Sequence, residues 1–200
     1  CFGVSGGYER PMWFALDGEK AEYEYSYNYQ NWYPSIEYET NNTIKNVGIY
    51  DLTSFSKFEI KSKKAHQELQ KICTANIKNE IGKCTYTHML NPDGGIEADL
   101  TVVCIDSNHF RIISSAATRE RDKFHIKKYL SKGIELKDVT DEYCVFGVFG
   151  PKSRSLLQEL SKDDLSNEKF KFANSKYIEI EGIKIWSQRL SYVGELGFEL

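Results

Sequence analysis

Several common signatures are missing from this chain, and each gap narrows what it can do. Its 26 Lys and Arg are outnumbered by 29 Asp and Glu, for a net charge of −3. That balance leaves no electrostatic footprint for nucleic acid or an anionic membrane. No apolar run reaches the about 20 residues that a spanning helix needs. The five cysteines (Cys1, Cys73, Cys84, Cys104, Cys144) are odd in number and contain no C-x-x-C. The four histidines (His66, His88, His109, His125) contain no H-x-H or H-x-x-x-H. These gaps argue against a disulfide framework or a zinc site, and fit buried free thiols in a reducing compartment. No G-x-G-x-x-G follows a strand. GVSGG near the start and GVFGPKS in the second half lack the spacing and the acidic partner of a dinucleotide fingerprint, so no nucleotide cofactor site is expected within these residues. The opening CFGVSGGYERPMWF has neither an initiator Met nor a basic-then-apolar signal pattern. The chain therefore reads as a fragment with both termini missing.

What is present is ordinary globular material: 200 residues, 40% hydrophobic and 28% charged. That is enough for one large core or two small domains. Residues 1 to about 30 are rich in Gly and Tyr, without a period, and read as an extended connecting segment. SIEYETNNTIKNVG reads as a short helix stopped by Gly48. VGIYDL and SKFEIKS read as two strands around a turn at Thr53–Ser56. KKAHQELQKICT sets Ala65, Leu69 and Ile72 at helical spacing. Three strands follow, Thr85–Leu90, Ile96–Ile105 and His109–Ser114, with turn chemistry at Asn91-Pro92-Asp93-Gly94-Gly95 and at Asp106-Ser107-Asn108. ATRERDKFHIKKYLS reads as a helix with a partial capping signal at Thr118.

The second half continues in kind. EYCVFGVFG reads as a strand. GPKSRSLLQEL places Pro151 in a helix first turn, with Leu156, Leu157 and Leu160 on one face. KYIEIEG and IKIWSQRLSY alternate as a hairpin turning at Glu181-Gly182, and a further strand starts at Phe198. Helices interleave with tight antiparallel hairpins, which predicts an α+β fold of antiparallel sheets with packed helices rather than a doubly wound parallel sheet.

Two polar clusters stand out. In YTHMLNPDGGIEADLTV, Asp99 is an acid in a strand that is turning apolar. The residues alone favour a solvent-facing acid at a strand entry over a catalytic one, and Tyr86 a half-buried strand tyrosine. In RLSYVGELGFEL, Gly194 and Gly197 allow two changes of direction within four residues. Glu199 then sits between Phe198 and Leu200, where an acid is costly unless paired. Its two acceptors suit adjacent N–H donors on the edge of a flat heterocycle, which Tyr192 could pack on or bond to. An ion pair with Arg189 or a lysine explains the same acid, and local pattern does not separate the two.

GYERPMWFA, IYDLTSFSKFEI, YTHMLNPDGGIEADLTV, GPKSRSLLQEL and RLSYVGELGFEL, in this order and spacing, resemble the folate-binding aminomethyltransferase (glycine cleavage T-protein) family. They are most similar to its fused branch in dimethylglycine and sarcosine dehydrogenases. GYERPMWFA resembles the junction leaving the flavin oxidoreductase part of that branch. Ala98-Asp99 stands where the separate T-protein has two aspartates, and VGELGFEL where it has a TGEDG form. The resemblance implies a junction over 1–30 and an aminomethyltransferase folate-binding domain over 31–200 that continues past the C-terminus. It implies Asp99 as the catalytic aspartate, Tyr86 as a folate contact, and Tyr192 and Glu199 as the pair that holds the pterin. Tetrahydrofolate is then the cofactor and a small N-methyl amine the partner, with FAD in an upstream domain. The implied product is 5,10-methylenetetrahydrofolate, formed when an iminium methylene is captured. A cytoplasmic location, or the mitochondrial matrix in a eukaryote, goes with it. Ser115 replaces the Asn of the separate T-protein, and Ser54-Phe55 its His-Met, so the amine side of the pocket differs more than the pterin side. Two alternatives stand beside this reading of the chain: a folate-dependent demethylase or methyltransferase of the same superfamily acting on another donor, and a non-catalytic regulatory subunit of this architecture.

Overall fold

A computed structural model describes residues 1–5 and 8–200; Gly6 and Gly7, part of the GVSGG stretch, lie outside the described residues. The first thirty residues are not wholly without regular structure. Strands β1 (Phe2–Ser5) and β2 (Tyr8–Pro11) pair antiparallel, Phe2 opposite Pro11, and form a sheet of their own. Helix α1 (Tyr33–Lys45) then begins with Pro34 in its first turn, where a missing N–H costs nothing. Its stop is not Gly48. The Asn46 N–H bonds the Asn42 carbonyl at 2.7 Å, and the Asn42 amide donates to the Val47 carbonyl at 2.8 Å. Asparagine side chains therefore close the helix, and Gly48 opens strand β3 (Gly48–Asp51).

The remaining strands form two five-stranded antiparallel sheets. One has the order β5-β6-β7-β4-β8, built from β4 (Ser56–Lys61), β5 (Cys84–Leu90), β6 (Ile96–Asp106), β7 (His109–Ser114) and β8 (Leu136–Asp138). The other has the order β10-β11-β12-β9-β3, with β9 (Phe146–Phe149), β10 (Ser175–Ile180), β11 (Ile183–Gln188) and β12 (Gly197–Glu199). The consecutive strands β3 and β4 thus do not pair with each other. β3 joins β9 and β4 joins β7 and β8. The chain crosses between sheets at Asp51–Thr53, where the Asp51 carboxylate accepts from the Thr53 N–H at 2.9 Å. Strand β8 has three residues, too few for alternation to reveal it, and is held by pairing Leu136 with Ile60.

Each sheet has its own core. Helix α2 (Ala65–Ile72) lays Ala65, Leu69 and Ile72 on one face of the first sheet, and α3 (Arg119–Tyr129) adds Ile126. They meet Phe58, Ile60, Leu100, Val102, Phe110 and Ile112, which alternate inward along β4, β6 and β7. Burying one such leucine or isoleucine stabilises by about 1.5–3 kcal/mol. Thr118 does not cap α3 through its own side chain; its hydroxyl donates to Asp122 Oδ2 at 2.7 Å, and a short 3₁₀ turn, Ala116–Thr118, leads in. The second core joins Val148, Leu157, Leu165, Phe170, Ile178 and Phe198. Helix α4 (Ser153–Leu160) starts just after Pro151 and buries Leu157, while Leu160 is exposed. The β10–β11 hairpin turns at Glu181 (φ 48°) and Gly182 (φ 80°), two positive angles that match the strands' twist. The α+β reading holds. Cys73, Cys84 and Cys104 are buried free thiols, but Cys144 is exposed.

The sheets are stitched edge to edge where β5 begins. Lys83 and Asn174 bridge, the Cys84 N–H bonds the Ala173 carbonyl at 2.9 Å, and the Ser175 hydroxyl donates to the Gly82 carbonyl at 2.9 Å.

Candidate functional site

Alternation decides which side chains share a face. Phe58, Phe110, Ile112, Leu100 and Val102 face the helices, so the opposite face of the first sheet carries their neighbours. Directly paired residues fall into rungs: His88 with Asp99; Tyr86 with Thr101, Ile113 and Lys57; Cys84 with Val103, Arg111 and Glu59. This second face is therefore polar and strongly charged for a half-buried sheet.

Its β8 side is closed by an ion network. Arg111 Nε and Nη2 reach Glu59 Oε1 at 3.1 and 2.7 Å, His109 Nε2 lies 3.0 Å from Glu59 Oε2, and the guanidinium sits 4.3 Å over the Tyr143 ring. Lys57 is also buried, donating to the Thr53 and Phe55 carbonyls at 2.8 Å each. Burial lowers its ammonium below the usual lysine range.

The β5 side is open. Tyr86 is 61% exposed and Asp99 is exposed. The Tyr86 hydroxyl donates to Asp99 Oδ2 at 3.3 Å, and its ring meets His88 edge-on at 5.3 Å. Desolvation, then Asp99, then Tyr192 raise the Tyr86 phenol. Tyr192 is exposed and lies 106 positions further along the sequence.

Glu199 arrives from the other sheet. Gly194 has φ 78°, a left-handed angle, and turns the chain after Val193. Gly197 serves differently from the expected second turn: it opens β12 opposite Phe149, whose ring occupies the space a Cβ would need. Glu199 is partly buried and accepts from Gln188 Nε2 at 3.1 Å. Burial raises its carboxyl and the Gln188 bond pulls it back. Arg189 does not pair with it. That guanidinium donates to the Phe170 carbonyl at 2.6 Å, and among the described residues no ion pair involves Glu199. Burial pushes the Cys84 thiol up to about 12, and the nearby Glu199 adds to the rise.

The structure therefore brings Tyr86 and Asp99 into direct contact, leaves Tyr192 exposed in the turn before β12, and carries Glu199 into β12, across β11 from Ser175, which bonds Gly82 just before β5 begins. Thr101 and Ile113 stand in the Tyr86 rung, and the alternation of β6 and β7 was signal enough to find them. Gln188 carried no signal, because its place depends on which strand pairs with β11. The fit to a flat heterocycle with adjacent donors rests on Glu199: a desolvated carboxylate with no cation beside it has spare acceptors. Among the described residues no group of three His, Cys, Asp or Glu is placed to hold a metal ion.

Comparison with known proteins decides the family. The model of the GCVT N-terminal domain matches residues 1–200. The chain belongs to the GCVT N-terminal domain family. It is 36% identical over 201 residues to mitochondrial dimethylglycine dehydrogenase of Rattus norvegicus, covering 99% of this chain and 23% of that protein. It is 34% identical to 4-methylaminobutanoate oxidase (formaldehyde-forming) of Paenarthrobacter nicotinovorans, covering 100% of this chain and 24% of that one. The fold matches the glycine cleavage system aminomethyltransferase T from Bartonella henselae with a TM-score of 0.75 at 18% identity, over 100% of this chain and 48% of that chain. The GCVT domain thus keeps the aminomethyltransferase fold, and it spans about a quarter of the length of the two curated relatives.

Proposed function

We propose that this GCVT domain is the folate-dependent one-carbon transfer domain of a larger, flavin-linked N-methyl amine dehydrogenase of the dimethylglycine or sarcosine type. What supports the reading is the link between the strands that carry two motifs far apart in sequence: Glu199 of RLSYVGELGFEL pairs Gln188, Gln188 pairs Ser175, and the Ser175 hydroxyl bonds the Gly82 carbonyl just before β5, the strand of YTHMLNPDGGIEADLTV that holds Tyr86 against Asp99. The enzymes among its relatives support the reaction class.

Tetrahydrofolate, when bound, supplies nucleophilic nitrogens that take up a one-carbon unit. The chain's own residues bind, orient and move a proton. Glu199 accepts from the adjacent ring N–H and amino donors of the pterin edge. Tyr86 and Tyr192, with exposed rings, flank it and keep water from its faces. Asp99, restrained by Tyr86, either takes up the proton released as the one-carbon unit is bound or holds the developing positive charge. Placing two partners at attack distance is the largest contribution the domain makes. On this reading the self-paired hairpin β1–β2 and the segment to residue 30 are the junction to a flavin-bearing part, and 31–200 belong to the aminomethyltransferase domain. A matrix or cytoplasmic location goes with the same reading; no helix among the described residues is long and apolar enough to cross a membrane.

The test is the fate of the one-carbon unit in the full-length protein. Asp99→Ala is expected to raise free formaldehyde relative to methylenetetrahydrofolate. An unchanged product ratio contradicts a role for Asp99.

A further inference from the structure

Gln188 is the residue opposite Glu199, and Gln188 with Glu199 is the one register pair that joins β11 to β12. Gln188 is 4% exposed. Its Nε2 donates to Glu199 Oε2 at 3.1 Å, while its Oε1 is buried without a hydrogen-bond partner among the described residues. Turning the amide over would set a carbonyl against a carboxylate, acceptor to acceptor, so the bond to Glu199 fixes its orientation. A buried amide that satisfies one end and leaves the other free is costly. Among the described residues its one side-chain hydrogen bond is to Glu199.

We propose that Gln188 is a positioning residue for the Glu199 carboxylate, occupying one oxygen so that the remaining lone pairs are held toward a ligand edge with two adjacent N–H donors. The inference rests on the reading of Glu199 as the pterin-holding acid and deepens it. Glu199 has little else to keep it charged. Gly147, its partner on β9, has no side chain, and Cys84 from β5 is a thiol that stays neutral across the physiological range. Lys83, just before that strand, is engaged with Asn174 Oδ1 at 2.9 Å. Burial opposes ionisation of Glu199, and the Gln188 donor is the contact that favours it. Without that donor the acid takes up a proton at a higher pH, and a protonated acid meets the ligand's donors with one acceptor fewer.

The experiment is a titration of 5-formyltetrahydrofolate into the full-length protein from pH 5 to pH 8, in the wild type, Gln188→Met, Gln188→Glu and Glu199→Gln. Gln188→Met keeps the volume and loses the donor. It is expected to weaken binding about threefold to tenfold at pH 7 and to move the acid limb of the binding profile up by about one pH unit. Gln188→Glu puts a second carboxylate beside the first and moves the limb further. If Glu199→Gln weakens binding while Gln188→Met keeps the wild-type affinity and limb, the proposal is overturned and the reading of Glu199 stands. The proposal is equally overturned if Gln188→Met lowers thermal stability and leaves the limb in place, since that is what a merely structural amide would do. If Glu199→Gln binds as the wild type does, the reading of Glu199 fails and the role of Gln188 fails with it.

Discussion

Tyr86 and Asp99 lie on adjacent antiparallel strands, not directly opposite but one rung apart, and the tyrosine hydroxyl closes the gap with a 3.3 Å bond to Asp99 Oδ2. The bond is exposed, so it does little for stability. Its effect is to hold the carboxylate of an open face in one orientation. Removing the hydroxyl in Tyr86→Phe should change unfolding free energy by no more than about 0.5 kcal/mol. The same change should weaken tetrahydrofolate binding about threefold to tenfold, since one solvent-exposed bond is worth about 0.5–1.5 kcal/mol. Urea melts and ligand titrations on the same samples check both numbers. Unaltered affinity in this variant means the bond has no part in the site.

The closed half of the same face should answer in the opposite way. Glu59 is 4% exposed and depends on Arg111 and His109 for its charge. Arg111→Met leaves that carboxylate buried and without its strongest partner, which costs about 3–5 kcal/mol. The double variant Glu59→Met, Arg111→Met removes both charges and should be more stable than Arg111→Met alone. Denaturant unfolding of the three proteins tests the order; a double variant that is the least stable contradicts the argument.

A third expectation concerns acid. The Lys71 ammonium, with the Ser131 N–H and hydroxyl, holds the Glu68 carboxyl at about 2, below its ordinary value of 4.5. A depressed folded-state value stabilises the fold above pH 4.5, and that contribution is lost as pH falls toward 2. Glu68 ties α2 to the loop after α3, so the loss loosens the helical layer. Glu68→Gln should therefore flatten the fall in melting temperature between pH 4.5 and 2. A wild-type slope in that window means the contact is not formed in solution.

The elements were more legible in the sequence than their arrangement. Alternation marks β5, β6 and β7 to within a residue of their ends, and Glu181-Gly182 marks the β10–β11 turn, because both signals are local. Strand order is not local. IYDL and SKFEIK read as neighbours around a turn, yet β3 and β4 belong to different sheets, since a short turn can carry the chain from one sheet to the next. Gly48 and Gly197 read as a stop and a turn, but both lie in strands where a side chain would collide with a neighbour. The site was legible only through family resemblance. From residues alone Asp99 is a surface acid, and exposed it is; what local pattern lacks is the partner strand that brings Tyr86 to it. The choice between an ion pair and a ligand for Glu199 likewise needed the position of Arg189, whose guanidinium turns to the Phe170 carbonyl.

The central claim, that this face holds the donor edge of folate, is tested most directly by the affinity of the full-length Glu199→Gln protein for tetrahydrofolate. The amide keeps the size of the acid but turns an NH₂ donor toward a donor. A charge-assisted bond is worth about 1.5–3 kcal/mol, so the account predicts a loss of roughly tenfold to a hundredfold. Glu199→Asp, with its shorter arm, should also weaken binding. Wild-type affinity in Glu199→Gln would contradict the account and make Glu199 a structural acid of the β11–β12 pair.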